Sequence, residues 1–439
     1  MQVAIEQQRT IFIQGFFEHL YSIDYSLLKS TNQSISQIPI RSDIDLLVRK
    51  EDLASLLKWM VEQPNIEKYA IHRYHAVTYV YLFFKDGGFL QVDLLTELIR
   101  KSICYLDREE LLEQAHPNKE GVLVLPDRRI LEHLVLFNFL NFAGLPLKYQ
   151  KYFQQKSEAH QKGLIDYING RYQTYFYSIE QLGEYDYFSH QQILKTLLNR
   201  KSNSLLGRFW RFLLVTIDFI KSIYYNRGIM ITFSGVDGAG KSTIIKNLVE
   251  VLSKKYRRKV VVLRHRPSLL PILSAWRYGK AEAERRSVDR LPRQGENTNR
   301  LWSLFRFGYY FLDYIIGQLY IRIAYLWRGY VVIYDRYYFD FIIDSKRSNL
   351  ALKPWIPQSL YRFIYKANIN CFLYANPSII RSRKKELPIT EIEDLTKNYQ
   401  QLFEDLAQRK GAKQHYFSIE NLSIDDTITQ ILKHYKAVL

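Results

Sequence analysis

The sequence predicts an α/β protein. A doubly wound parallel sheet with helices on both faces should fill the C-terminal half, preceded by an α+β domain and a helical linker region. Three observations carry this. From Gly228 onward, short apolar runs alternate with helical patterns. A glycine-rich turn, Gly235 to Ser242, joins the first of these runs to a helix. Before that come extended apolar runs with isolated carboxylates embedded in them, two of the runs meeting at an Asp-Gly step. The chain of 439 residues, 47% hydrophobic, is long enough for two or three cores. The expected divisions are residues 1–125, 126–227 and 228–439.

In the first division, Arg9 to Leu28 has helical spacing through Ile11, Phe12, Phe16 and Leu20. Met1 to Arg9 is polar, so no secretory leader is expected. Ile38 to Val48 is extended and holds Asp43 and Asp45, which share one face of a strand. Two aspartates beside Ile44, Leu46 and Val48 call for a cation. Ala76 to Phe84 and Gly88 to Leu95 read as a hairpin turned by Lys85-Asp86-Gly87-Gly88, with Asp93 on the second strand. His72, His75 and His133 are expected to be ordinary surface or core residues rather than ligands.

The second division opens with an amphipathic helix, Pro126 to Phe142. It ends in a basic, aromatic linker, Arg200 to Arg227. Such a helix can lie on a membrane or pack its apolar side between domains. Packing is expected, because few of its apolar residues should stay exposed.

In the third division, Gly235-Val236-Asp237-Gly238-Ala239-Gly240-Lys241-Ser242-Thr243 fits G-x-x-x-x-G-K-[ST]. The glycines let the backbone curl around a phosphate, and the N–H groups and helix N-terminus face the anion. Lys241 can reach the β- and γ-phosphates of ATP, and Ser242 can hold Mg²⁺. Further strands are expected at Lys259–Arg264, Gly329–Tyr337, Ile369–Tyr374 and His415–Ile419. In a parallel sheet the ligands gather beyond the strand C-terminal ends. That places Arg264, Asp335 and Arg336 beside the loop. The aromatic stretch Phe305 to Trp327 is expected to be core or a dimer interface.

Two resemblances add to this reading. Ser42-Asp43-Ile44-Asp45-Leu46-Leu47-Val48 with Gln91-Val92-Asp93-Leu94 resembles the three-carboxylate pattern of the nucleotidyltransferase fold. The resemblance implies metal ions on Asp43, Asp45 and Asp93 that activate a triphosphate. That family carries a glycine loop before the first strand, whereas this chain has no glycine between Gly15 and Gly87. A nucleotidyltransferase-like domain without transferase activity, or surface aspartates alone, is therefore the alternative.

From Gly228 on, the loop and Asp335-Arg336-Tyr337 resemble thymidylate kinase and its relatives among the nucleoside monophosphate kinases. The resemblance implies that Gly235, Asp237, Gly238, Ala239, Gly240, Lys241, Ser242 and Thr243 bind the nucleotide. It implies that Asp335 helps place Mg²⁺ or the acceptor phosphate, and that Arg336 binds the acceptor or moving phosphoryl group. Tyr337 belongs to the same acceptor motif. Ile380 to Leu387 resembles the family's lid, with Arg381 and Arg383 neutralising charge on the moving phosphoryl group. At the acceptor side the chain departs from the pattern. Arg264-His265-Arg266-Pro267 stands where Arg-Glu-Pro is usual, and Arg264 and Arg266 make an anionic acceptor the expectation. The spacing Asp335 to Arg347, with the two-domain order, resembles a divergent branch associated in part with bacterial surface-polysaccharide loci.

The expected function is ATP- and Mg²⁺-dependent phosphoryl transfer to a nucleoside monophosphate or another anionic small molecule. Two alternatives stand. One is an ATP-binding regulatory module at a membrane or polysaccharide-biosynthesis complex. The other is a bifunctional kinase and metal-dependent nucleotidyltransferase acting on a sugar or glycan precursor. The net charge of +18 also admits nucleic acid or an anionic membrane as partner, although no nucleic-acid module is evident. Lys254 to Arg293 alone holds thirteen basic and three acidic residues. Two cysteines, Cys104 and Cys371, suit a reducing, cytoplasmic setting, with peripheral membrane contact through the linker as a further option.

Overall fold

The structure, a computed structural model, describes residues 2–29, 38–39, 42–225, 227–267, 299–409 and 415–438. Ile40, Arg41 and residues 268–293 of the basic run lie outside the described residues. The chain forms two compact units, Met1–Lys221 and Ser222–Leu439.

Unit 1 begins with α1 (Gln2–His19), which ends before the expected Leu28. After a short 3₁₀ turn, β1 (Tyr25–Leu27) pairs antiparallel with β2 (Ile44–Val48), and sheet pairing overrides the helical pattern there. Helix α2 (Leu53–Val61) follows β2. Then come β3 (Ile66–Arg73), β4 (Val77–Phe84) and β5 (Phe89–Leu95), paired antiparallel in sequence. The expected β4–β5 turn is present, with Gly87 at φ +82° and Gly88 N–H donating to Asp86 Oδ1 at 2.8 Å. The sheet has the order β3-β4-β5-β2-β1-β9-β8, the last two being Leu123–Val124 (β9) and His116–Pro117 (β8). A separate ribbon joins β6 (Leu98–Arg100) to β7 (Ile103–Leu106). The contact that matters is β2 against β5, which run parallel with Asp45 opposite Asp93.

Helix α3 (Arg108–Glu113) precedes α4 (Asp127–Phe139), which stops three residues short of the expected end. Phe142 lies at φ +59°, a left-handed turn that ends the helical run. Helices α5 (Leu147–Gln154), α6 (Glu158–Tyr172) and α7 (Tyr187–Leu198) pack with α4 in one apolar core. Glu132 of α4 is fully buried and is satisfied by Tyr167, Tyr172, Arg171 and Arg129, so the helical layer carries its charges in pairs. Helix α8 (Leu205–Tyr225) has no buried residue. Within unit 1 it is the polar side of this helix that makes the contacts. Arg211 donates to Ser102 O at 2.9 Å and Ser202 O at 2.7 Å, and Asp218 accepts from His75 N–H at 2.8 Å.

Among the described residues unit 2 is built on five strands: β10 (Ile229–Ser234), β11 (Val260–Arg264), β12 (Val331–Asp335), β13 (Ile369–Tyr374) and β14 (Tyr416–Glu420). All neighbours run parallel, in order β11-β12-β10-β13-β14. Each strand falls where the apolar runs place it. The strands β10, β12 and β13 are almost entirely buried, which explains why they read as continuous apolar runs. The first strand, β10, sits in the middle with later strands on both sides. The ends of β10 and its neighbours therefore form the crevice where such sheets hold ligands. Helices α9 (Lys241–Glu250), α10 (Arg300–Ala324), α11 (Phe339–Ile343), α12 (Trp355–Leu360), α13 (Pro377–Arg383), α14 (Ile389–Ala407) and α15 (Ile424–Val438) complete the described unit. One face of α10 is core, through Phe307, Tyr314 and Ile321; Trp302, Phe305 and Leu319 on the same helix are exposed. Among the described residues no helix is long and apolar enough to cross a membrane.

Candidate functional site

The turn after β10 has the shape its glycines predict. Gly235, Gly238 and Gly240 have φ of +142°, +93° and +89°, which side chains disfavour. A Cβ on Gly235 would lie 2.2 Å from Leu373 O in the neighbouring strand. Gly235→Ala is therefore expected to lower stability by about 1–3 kcal/mol and to remove nucleotide binding. Gly163→Ala, in open space on α6, is the control and should leave both nearly unchanged. Thermal melts and calorimetric titration with ATP check the pair.

Helix α9 starts at Lys241, straight out of this turn. The Lys241 ammonium is buried and donates to Gly235 O and Val236 O, both at 2.8 Å. Burial, and then the nearby Arg336 charge, pull its pKa down to about 7. Ser242 and Thr243, next on the helix, are exposed at its N-terminus. Ala239 is buried, and its carbonyl accepts from Asn421 Nδ2 at 2.8 Å, which ties the loop to the segment after β14.

The second wall comes from β12. Its last residue is Asp335, and Arg336 turns sharply with φ +73°, held by its N–H bond to Phe233 O at 2.8 Å. His265 repeats this left-handed turn after β11, at φ +62°, with its N–H bonded to Asp335 O at 2.9 Å. Non-glycine residues in this conformation are uncommon, and here two stand at adjacent strand ends beside the loop. The result is a buried guanidinium at the crevice. Arg336 Nη1 bonds Asp340 Oδ2 at 2.7 Å, and Arg336 Nη2 bonds Asp237 in the loop. Arg347 bonds the other Asp237 oxygen. Burial pushes the Asp237 carboxyl up, but Arg336, Lys241 and Arg347 outweigh it and hold it well below the usual carboxylate range. Asp340 is fully buried and also accepts from Tyr399 OH at 2.9 Å.

The structure thus brings together the loop, Asp237, Lys241, Asp335 and Arg336. It adds Arg347 and Asp340, which the sequence reading placed in a motif without giving them roles. Their signal was present in the spacing: Arg336 and Asp340 are one helical turn apart. Arg383, at the end of α13, is exposed and reaches Gly238 O at 3.4 Å, and Arg381 on the same helix is exposed. Arg266 is buried in a pair with Asp313 of α10 at 3.0 Å and lies over the Tyr310 ring. Its charge is balanced within the fold, which corrects the picture of an open positive acceptor wall there. Arg264 is exposed at the end of edge strand β11. Tyr337 is a core residue rather than a cleft residue: its ring is buried and its hydroxyl donates to Tyr365 O at 2.8 Å.

Ser242 and Asp335 offer hard oxygen donors at the loop, the chemistry Mg²⁺ takes. Both Asp237 oxygens are occupied by guanidinium groups, so this residue does not belong to that donor set.

Unit 1 holds a second constellation. Asp43, Asp45 and Asp93 bring carboxylate oxygens within 4.8 Å of one another, across the parallel β2–β5 pair. Asp45 and Asp93 are buried, at 7% and 8% exposure. Lys29 donates to Asp45 Oδ1 at 2.8 Å, and Gln91 Nε2 to Asp93 Oδ1 at 2.7 Å. Burial, and then the Asp45 charge, push the Asp93 carboxyl up to about 7. An all-oxygen donor set of this size fits a hard divalent cation. Among the described residues no other group of this kind occurs. His72, His75 and His133 stand apart from it, with His133 buried against Tyr105.

The parallel sheet, its order and the glycine loop define unit 2 as a P-loop α/β domain. No family model matches the chain. A thymidylate kinase of Enterococcus faecalis is 48% identical over 46 residues, which is 10% of this chain and 21% of that protein. The chain thus spans about a fifth of the length of the curated relative it matches. A solved thymidylate kinase from Ehrlichia chaffeensis aligns with 47% of this chain and 97% of its own, at 19% identity and a TM-score of 0.31.

Proposed function

We propose that unit 2 is an ATP- and Mg²⁺-dependent phosphotransferase. The observation that supports it best is the juxtaposition of the P-loop with Arg336 at the end of the neighbouring strand. Phosphoryl transfer needs a cradle for the donor and fixed cations around the moving group, and little else. The loop N–H groups and Lys241 would bind the β- and γ-phosphates. Lys241 would leave the carbonyls of Gly235 and Val236 to do so. Arg336 and Arg347 would face the transferred group, and Arg383 would close over the loop. Ser242 and Asp335 would hold Mg²⁺, which supplies charge neutralisation on the triphosphate. An acceptor oxygen attacks the γ-phosphorus, the bond to the β–γ bridging oxygen breaks, and ADP leaves with that electron pair. A phosphate acceptor is already ionised and needs no base.

The acceptor is an anionic small molecule, with a nucleoside monophosphate first and a phosphorylated sugar or glycan second. The short identity with a thymidylate kinase supports that order. ADP formation is to be measured against nucleoside and deoxynucleoside monophosphates, phosphorylated sugars and glycan fragments. Acceptor-dependent turnover is expected with one of the anionic classes. ATP binding without turnover across the panel would favour a regulatory module instead.

The carboxylate triad favours a second reading for unit 1, metal-dependent nucleotidyl transfer. Asp43, Asp45 and Asp93 would hold the cation, which supplies activation of a triphosphate. Pyrophosphate release is expected to fall by about 10²-fold or more in an Asp43→Ala, Asp45→Ala double variant. Release at the wild-type rate would dispose of this reading and leave the phosphotransferase reading intact.

A further inference from the structure

Helix α8 is amphipathic in the ordinary sense but turned over. Arg211 and Asp218 lie on its narrow polar side, and this side grips unit 1 through Ser102 O, Ser202 O, Asn203 Oδ1 and His75 N–H. The broad apolar side faces away. Leu206, Phe209, Trp210, Phe212, Ile217 and Ile220 are between 47% and 69% exposed. On a water-soluble surface such a continuous apolar face calls for a cover. Residues 200–227 also carry six basic side chains and one acidic one, and Lys201, Lys221 and Arg227 are exposed around the helix.

From this geometry we infer that α8 is an interfacial anchor that lays its outward apolar face into an anionic lipid surface. Three features select lipid over other covers. Bulky aromatic and aliphatic side chains fill one side, as burial at the headgroup boundary requires. The surrounding charge is strongly of one sign, opposite to that of an anionic leaflet. The helix is fixed to unit 1 by the hydrogen bonds of its polar side, so it presents this face without first having to fold. A second copy of the chain would place like charges against one another around the same patch, which opposes that occupant. The helix lies on the surface and does not span it. Unit 1 would then be held at the membrane whatever reaction unit 2 performs.

The full-length chain is tested by flotation with vesicles of phosphatidylcholine alone and of phosphatidylcholine with phosphatidylglycerol. Binding is expected to the anionic vesicles, to weaken with added salt and to be slight on the neutral ones. Trp210→Glu with Ile220→Glu should lower the bound fraction by about tenfold or more. Lys221→Glu should lower it about fivefold while leaving the apolar face intact. These exposed positions lie outside the nucleotide loop, so ATP binding and the melting temperature should stay near wild type. No flotation of the wild type with anionic vesicles would overturn the inference. So would a dimer in solution that Trp210→Glu with Ile220→Glu converts to a monomer, since that result assigns the face to a second copy.

Discussion

Replacing Lys241 by methionine is expected to lower acceptor-dependent ADP formation by about 10²–10³-fold while the fold is retained. The size follows from the position. Lys241 is the buried cation of the loop, and its ammonium donates to Gly235 O and Val236 O. A triphosphate supplies the counter-charge that those carbonyls lack. Methionine keeps most of the side-chain volume, so the loop should keep its shape. A second readout separates this role from a structural one. Burial and Arg336 hold the Lys241 pKa at about 7, below that of a free lysine. At pH 8 the unliganded side chain is therefore largely neutral, and binding a polyanion should charge it. Up to about one proton should be taken up per ATP bound at pH 8 and little at pH 6, where the side chain is already charged. Calorimetry in buffers of different ionisation enthalpy measures this uptake, and Lys241→Met should abolish it.

Arg336→Ala should be the most damaging change for stability, at about 3–5 kcal/mol, and should also lower turnover by roughly 10³-fold. It removes the partner of Asp340, which has no exposure to water. Burial pushes the Asp340 carboxyl up, but Arg336 outweighs it and holds the group ionised, below the usual range. The direction fixes the pH dependence. A depressed carboxylate contributes stability above its unfolded pKa, near ~4, and loses it as the pH falls through the folded value. Without Arg336 the same carboxyl moves upward, so the deficit should be large at pH 7 and smaller near pH 4. Adding Asp340→Asn should recover part of the loss at pH 7, because a neutral amide tolerates the site better than an unpaired charge. Equal deficits at both pH values would show that Arg336 acts through packing alone. The turnover loss should persist in the double variant, since the cation at the crevice is still missing.

The elements most legible in the sequence were those whose residues had one role. Continuous apolar runs gave β10, β12 and β13 because both faces of a parallel sheet are buried. The loop was legible because only glycine accepts the backbone angles at 235, 238 and 240. Elements set by distant partners were not. The strand β1 exists because β2 pairs with it, and nothing in Tyr25-Ser26-Leu27 outweighs the helical spacing around it. Arg266 looked like a ligand-binding cation, and its partner Asp313 lies 47 residues away on α10. Tyr337 sits inside a motif that suggests a cleft, yet its direction is set by the aromatic core around Tyr334 and Tyr314. For α8 the apolar content was legible, but its direction was not. Which side of an amphipathic helix meets the protein depends on backbone acceptors such as Ser102 O, and these leave no trace in sequence.

The central claim is that unit 2 moves the γ-phosphoryl group of ATP to an anionic acceptor. Following the label of γ-³²P-ATP with Mg²⁺ and the acceptor panel tests it most directly. The account predicts label in an acceptor ester, in step with ADP, and none with Lys241→Met. Label that stays in bound ATP, or that appears only as inorganic phosphate whichever acceptor is present, would contradict it.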